Sequence, residues 1–197
     1  MLQHLEKDIY EKELKIISIE KASRLAITLF GILVIVLGLP FIIMHNEIFS
    51  VYFSNFKVIT FLNDVLWFIL FFIIGIVLHE LIHGFTWLLF IKWRVRNIRF
   101  GIMWKYFTPY CHCKVPLKVK HYIIGAVMPA IILGVIPTIV AFLTGSIMLF
   151  CLGINFIVAA SGDFLITYIL INEKGNSYIL DHASLPGCTV YRLKYVK

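Results

Sequence analysis

The sequence predicts an all-α membrane protein of about four transmembrane helices, with a small cytosolic β-hairpin between the second and third. Three observations predict it. The 197 residues are 60% hydrophobic and only 15% charged, where a soluble domain carries about 25% charged residues. Four apolar runs, Leu25–Met44, Val65–Ile91, Ile123–Leu143 and Ile147–Ile171, each reach the ~20 residues a spanning helix needs. The lysines and arginines fall in alternate loops: five in residues 1–24, one (Lys57) between the first two runs, eight in 92–122, none in Thr144-Gly145-Ser146 and four in the tail. Four spans bring every basic segment to one side, and the positive-inside rule makes that side the cytosol, with both termini in it. The net charge of +7 then reflects orientation in the lipid bilayer and contact with anionic headgroups, and requires no nucleic acid. The cell membrane is the expected location.

Each element follows in order. Residues 1–24 are mixed in charge around Ile9, Leu14, Ile16 and Ile17. They read as a solvated lead-in helix, with an interfacial amphipathic helix as the alternative. Leu25–Met44 has no small-residue cleavage site after it and reads as a permanent span. Val65–Ile91 is long enough to tilt or to emerge from the hydrocarbon core. Within 92–122, the stretches Ile98–Trp104 and Tyr110–Val115 are rich in strand formers, and Thr108-Pro109 between them signals the turn of a hairpin. Pro129 and Pro137 in the third run each free a backbone carbonyl and read as tolerated membrane prolines. The three-residue link Thr144-Gly145-Ser146 forces the last two runs into an antiparallel pair. The tail holds a turn at Leu185-Pro186-Gly187-Cys188, then the alternation Thr189–Leu193 of a short strand. The chain thus divides into a cytosolic segment 1–24, a four-span domain 25–171 containing the 92–122 hairpin region, and a cytosolic tail 172–197.

Chemistry enters in the second run, at His79-Glu80-Leu81-Ile82-His83. H-E-x-x-H on a helix places two imidazoles on one face, where both can hold a zinc ion, and sets a glutamate beside them to take a proton from an activated water. Two histidines and a glutamate in an apolar helix cost several kcal/mol unless they have partners and a use. A catalytic zinc takes three protein ligands, so a third must come from elsewhere. Depth selects Asp163. His83 lies nine residues before Lys92, where the basic cluster begins, and Asp163 lies nine residues before Asn172, where the polar tail begins. Both spans run in the same direction, which places both residues ~13 Å from the cytosolic end at 1.5 Å per residue. Asp163 is also the one carboxylate in the first, third or fourth run, among the small residues Ala159, Ala160 and Gly162. A metal-independent His–Asp network is the competing reading of the triad, and an ion pair that of Asp163 alone.

Other candidates are weaker. Asn155 is the one amide in the fourth run, two turns before Asp163, and is a candidate oxyanion donor though ~12 Å away along the helix. Cys111-His112-Cys113 alternates in a strand, so that His112 faces away from the two thiols and could meet a substrate. A lone C-x-C is a weak zinc signal. His182 in the tail is the reserve third ligand. The four cysteines, Cys111, Cys113, Cys151 and Cys188, form no evident disulfide framework, and those in cytosolic segments are expected as thiols.

His79-Glu80-Leu81-Ile82-His83-Gly84 in one span and Ser161-Gly162-Asp163 in a later one resemble a family of zincin-type membrane peptidases of uncharacterised function, over about residues 60–190. The resemblance takes in Pro109-Tyr110-Cys111-His112-Cys113 and the Asp181–Gly187 stretch. More distantly the pattern is similar to site-2-protease-class intramembrane metalloproteases, in which such a span and a later aspartate bind zinc near the cytosolic side. That class usually carries an asparagine–proline stretch ending in leucine-aspartate-glycine, whereas here glycine precedes Asp163 and Phe164 follows it. The resemblance implies a zinc-dependent intramembrane endopeptidase acting on a membrane-protein or peptide substrate. A membrane metallohydrolase of another amide, such as a lipid amide, and a catalytically silent metal-binding scaffold are the alternatives. A pure binding site has no need of Glu80.

Overall fold

The computed structural model describes residues 9–104, 108–182 and 185–194. In chain order these form β1 (Tyr10–Ile16), α1 (Ile19–Leu33), α2 (Leu39–Met44), α3 (Asn46–Ser54) and the long α4 (Val58–Phe90). Then come β2 (Ile98–Met103), β3 (Thr108–Cys113), β4 (Leu117–Lys118), α5 (Val119–Pro129), α6 (Ile136–Thr144), α7 (Ile147–Ala159), α8 (Ser161–Leu170), β5 (Tyr178–Asp181) and β6 (Gly187–Leu193). Three continuous helical stretches, Ile19–Met44, Val58–Phe90 and Val119–Thr144, are long and apolar enough to cross a membrane, and α7 with α8 makes a fourth if the pair is one span.

The chain divides into two compact units. One comprises the chain up to Ala22, Leu78–Pro129 and the chain from Gly162; the other comprises Ser23–Val77 and Ala130–Ser161. The second unit is wholly helical. Wide π-helical turns, Val34–Gly38 and Ala130–Val135, precede α2 and α6, each of which carries a proline at its start. Pro40 and Pro137 are therefore accommodated by local widening of the helix, the usual remedy for a missing N–H. Pro129 ends α5 where the second wide turn begins. Gly145, in the left-handed conformation at φ 72°, closes the link between α6 and α7. Phe41 is fully buried here, stacked on Phe150 at 4.3 Å and edge-on to Phe142 at 5.3 Å.

The first unit departs from an all-α reading. Alongside the predicted hairpin it holds a four-stranded antiparallel sheet of order β1-β6-β5-β4. The hairpin is as expected, with β2 and β3 paired from Ile98↔Cys113 to Met103↔Thr108. Thr108 and Pro109, read as its turn, instead open β3; residues 105–107 lie outside the described residues. The tail strand is present as β6, and it pairs with β5 in the register Tyr178↔Tyr191 to Asp181↔Cys188.

The lead-in helix expected over residues 1–24 is corrected in part: Tyr10–Ile16 is a strand, paired antiparallel to β6 from Tyr10↔Leu193 to Ile16↔Gly187. The physical reason is a period-2 pattern that its charges conceal. Tyr10, Lys12, Leu14 and Ile16 share one face, and Lys12 lies over the Tyr191 ring at 5.2 Å. On the other face Lys15 reaches Glu173 at 2.6 Å, and Arg192 ties together Glu13 and Glu173. Residues 1–8 lie outside the described residues. The core between sheet and helices includes Leu117, Tyr122, Ile166, Leu170, Ile179 and Val190.

Candidate metal centre

Helix α4 is apolar almost throughout, and in its last turns the first unit carries His79, Glu80 and His83. One helical turn separates the two imidazoles, whose ring centroids lie 4.8 Å apart. Asp163 enters from α8. The fourth apolar run is interrupted at Ala160, where α7 ends, and Asp163 falls in the first turn of the new helix. Backbone N–H groups at a helix start favour a negative charge. The interruption therefore supplies a favourable seat for a carboxylate in an apolar segment.

The three side chains converge. His79 Nε2 lies 3.1 Å from Asp163 Oδ2, and His83 Nε2 lies 3.5 Å from Asp163 Oδ1. One donor atom from each residue falls within 4.8 Å of the other two, the one such group of three found among the described residues. His79 and His83 are 8% and 5% exposed, while the Asp163 side chain is 24% exposed, so the two imidazoles are enclosed and the group keeps an opening on the Asp163 side.

The surroundings fix the tautomer of His83. Its Nδ1 donates to the Gly125 carbonyl at 2.8 Å, which leaves Nε2, 3.5 Å from Asp163 Oδ1, as the nitrogen available to a metal. Trp87 stacks on the His83 ring at 5.5 Å and on Tyr122 at 5.3 Å, and its indole N–H donates to the Tyr122 carbonyl at 3.3 Å. A methyl group at Gly125 would collide with the Trp87 indole, so glycine is what lets that carbonyl sit so close. His79 Nδ1 is buried with no hydrogen-bond partner among the described residues.

These residues fit zinc. Two imidazole nitrogens and a carboxylate are its usual donors, and three ligands leave a coordination position open. A carbonyl that accepts from the other ring nitrogen and orients the imidazole is also what a metal ligand needs.

The hairpin lies against the same turn of α4. Gly84 is close to Phe100 of β2 and to Cys111 of β3. Glu80 is half-buried.

The remaining sequence candidates lie as follows. His112 turns to Asp181, with Nδ1 3.9 Å from Oδ2, and it stands outside the triad. Its pKa is lowered by burial and by the nearby Lys114 and Arg99. The Asn155 amide donates to the Cys151 carbonyl of its own helix at 2.8 Å. His182 is outside the triad too; its Nδ1 accepts the Leu185 N–H at 3.0 Å, closing a local turn. Cys111 is half-buried, Cys113 and Cys188 are buried, and all four cysteines are thiols. Sequence reasoning missed Gly125, Trp87, Tyr122 and Asp181. Of these, only Asp181 carried a legible signal, as a carboxylate inside a strand-forming stretch.

A family model described as putative zincin peptidase matches residues 72–178, more than half of the chain and all of the triad. No curated protein and no solved structure matches.

Proposed function

The chain belongs to that zincin peptidase family, and from this premise we propose that it is a zinc-dependent intramembrane endopeptidase that hydrolyses a peptide bond of a membrane protein. The observation that carries the reading is the convergence of His79, His83 and Asp163 within 4.8 Å, beside Glu80, with both histidines on a helix long and apolar enough to cross a bilayer. A zinc ion held by the three side chains would supply Lewis acidity, acidifying a water and polarising a carbonyl.

Glu80 then handles the proton: it takes one from the attacking water and gives it to the leaving amine. Gly125 and Trp87 hold His83 in place. A peptide substrate has to present an extended segment, because a helical carbonyl is already hydrogen-bonded. The outer edge of β2 suits such a segment, since β2 pairs only with β3 among the described residues. Strand addition there favours a peptide over a lipid amide.

The test is metal content and cleavage of membrane-peptide substrates by purified protein. We expect about one zinc per chain. Asp163→Ala should lose most of it. Glu80→Gln should keep the zinc and lose cleavage by roughly 10²-fold or more. Full zinc retention in Asp163→Ala, or undiminished cleavage by Glu80→Gln, would overturn the reading.

A further inference from the structure

Helix α5 offers two of its backbone carbonyls to ring N–H groups of α4. His83 Nδ1 donates to Gly125 at 2.8 Å, and the Trp87 indole donates to Tyr122 at 3.3 Å. The two bonds differ in what else each carbonyl has to serve.

In an α-helix the carbonyl of residue i accepts the N–H of residue i+4. The Tyr122 carbonyl therefore faces the Ala126 N–H as well as the indole, and its bond to the indole is the longer of the two. The Gly125 carbonyl faces position 129, which is proline and has no N–H to give. Its α-helical partner is missing by sequence. Gly125 and Pro129 are both buried, and a buried carbonyl in an apolar segment needs a donor. His83 Nδ1 supplies one. The helix absorbs the proline on its other side, since α5 ends at Pro129 and the wide turn Ala130–Val135 follows. The stretch that carries Tyr122 and Gly125 stays α-helical.

That stretch is also tied to the strands. The Tyr122 hydroxyl donates to Asp181 of β5, which accepts the Cys113 N–H of β3 at 2.8 Å as well. The Tyr122 ring stacks on Trp87, and Trp87 stacks on His83. The strands thus hold α5 where the Gly125 carbonyl stays in reach of His83.

We propose that Pro129 is a positioning residue for His83: by withholding the N–H that would share the Gly125 carbonyl, it reserves that carbonyl for His83 Nδ1 and so keeps Nε2 available to a metal. The role of Nε2 rests on the zinc reading; the hydrogen bond stands apart from it.

The experiment is proton and nitrogen NMR of the full-length chain in detergent with 15N-labelled histidine, joined to zinc titration. The His83 signals are identified by their loss in His83→Gln. In the unmutated protein the His83 Nδ1 proton should lie far downfield and exchange slowly with water, with or without zinc, because a carbonyl can only accept. In Pro129→Ala a restored N–H shares the carbonyl. The Nδ1 proton should then move upfield and exchange faster. Zinc affinity should fall roughly 10-fold, the low end for loss of an orienting partner, since the bond is shared and not removed. Pro137→Ala, which restores an N–H at the start of α6, should change neither. Where Pro129→Ala does not fold, Pro129→Gly restores the same N–H and replaces it. Three results would overturn the proposal: a rapidly exchanging Nδ1 proton in the unmutated protein, an unchanged Nδ1 proton or unchanged zinc affinity once the N–H at 129 is restored, or an equal loss of affinity in Pro137→Ala. A protein that binds no zinc but shows the expected proton shifts would sink the zinc reading and leave the carbonyl reserved for His83.

Discussion

At the residue scale, the 2.8 Å contact between His83 Nδ1 and the Gly125 carbonyl decides which imidazole nitrogen is available to a metal. That contact exists because Gly125 has no side chain to displace Trp87. Gly125→Ala should force the indole aside at a cost of about 1–3 kcal/mol. It should also weaken zinc binding by roughly 10–100-fold through misorientation of His83. Zinc titration of the folded variant, with its thermal unfolding, checks both; unchanged affinity would separate the carbonyl from the ligand it touches. His79, Glu80 and His83 were legible in the sequence because their spacing is local and their residue types are rare in a span. Asp163 was legible because helix rise converts sequence distance into depth. Gly125 and Tyr122 were not, since each acts on Trp87 or His83 through a backbone carbonyl, and a carbonyl leaves no mark on residue type. Asn155 was legible as a polar residue but not as one committed to the carbonyl of Cys151.

At the scale of elements, β1 holds to its sheet through charge as much as through pairing. Glu173 accepts from Arg192 at 2.7 and 2.8 Å and from Lys15 at 2.6 Å, joining β6 and β1 just beyond the end of α8. The Arg192 hydrogen bonds, followed by that from Lys15, hold its carboxyl down to about 2, from an ordinary 4.5. Since the folded value is the lower one, the unfolded chain takes up the proton first. The stabilisation is therefore complete above about pH 4.5 and lost as the pH falls toward about 2. Asp181 has the opposite sign. Burial pushes its carboxyl up to about 6 from 3.8, so its cost to stability appears as the pH rises through that interval. Glu173→Gln should lower stability at neutral pH by about 1–3 kcal/mol and flatten the acid limb below pH 4.5. Unfolding midpoints from pH 3 to 7 measure this; an unaltered acid limb would remove Glu173 as the anchor of β1. The same strand shows where the sequence misled. A run of lysine and glutamate suits a solvated helix, and the partner that makes it a strand lies at the other end of the chain. The β2–β3 hairpin was legible because its partners are neighbours.

At the scale of the whole molecule, the sheet constrains the number of membrane crossings. β1 precedes the first candidate span, β4 follows the second, and β5 follows α8, yet all three belong to one antiparallel sheet. Strands that pair must lie on one side of a bilayer. Two candidate spans, Ile19–Met44 and Val58–Phe90, separate β1 from β4, which satisfies this. Between β4 and β5 lie Val119–Thr144 and the interrupted pair α7–α8, so if the first crosses, the pairing of β4 with β5 calls for the second to cross as well. Sheet pairing and loop charge are independent arguments for the expected four crossings, and loop charge alone sets the expected side of the basic segments. The prediction is testable with single cysteines, the parent chain serving as blank because its own thiols are buried or half-buried. A cysteine replacing the exposed Asn55, between α3 and α4, should react with a membrane-impermeant maleimide in intact cells. Cysteines replacing the exposed Lys118 of β4 and Asn176 before β5 should react only after permeabilisation. Labelling of both Asn55 and Asn176 positions from outside, with Lys118 protected, would mean three crossings, and the pairing of β4 with β5 could not then hold in the membrane.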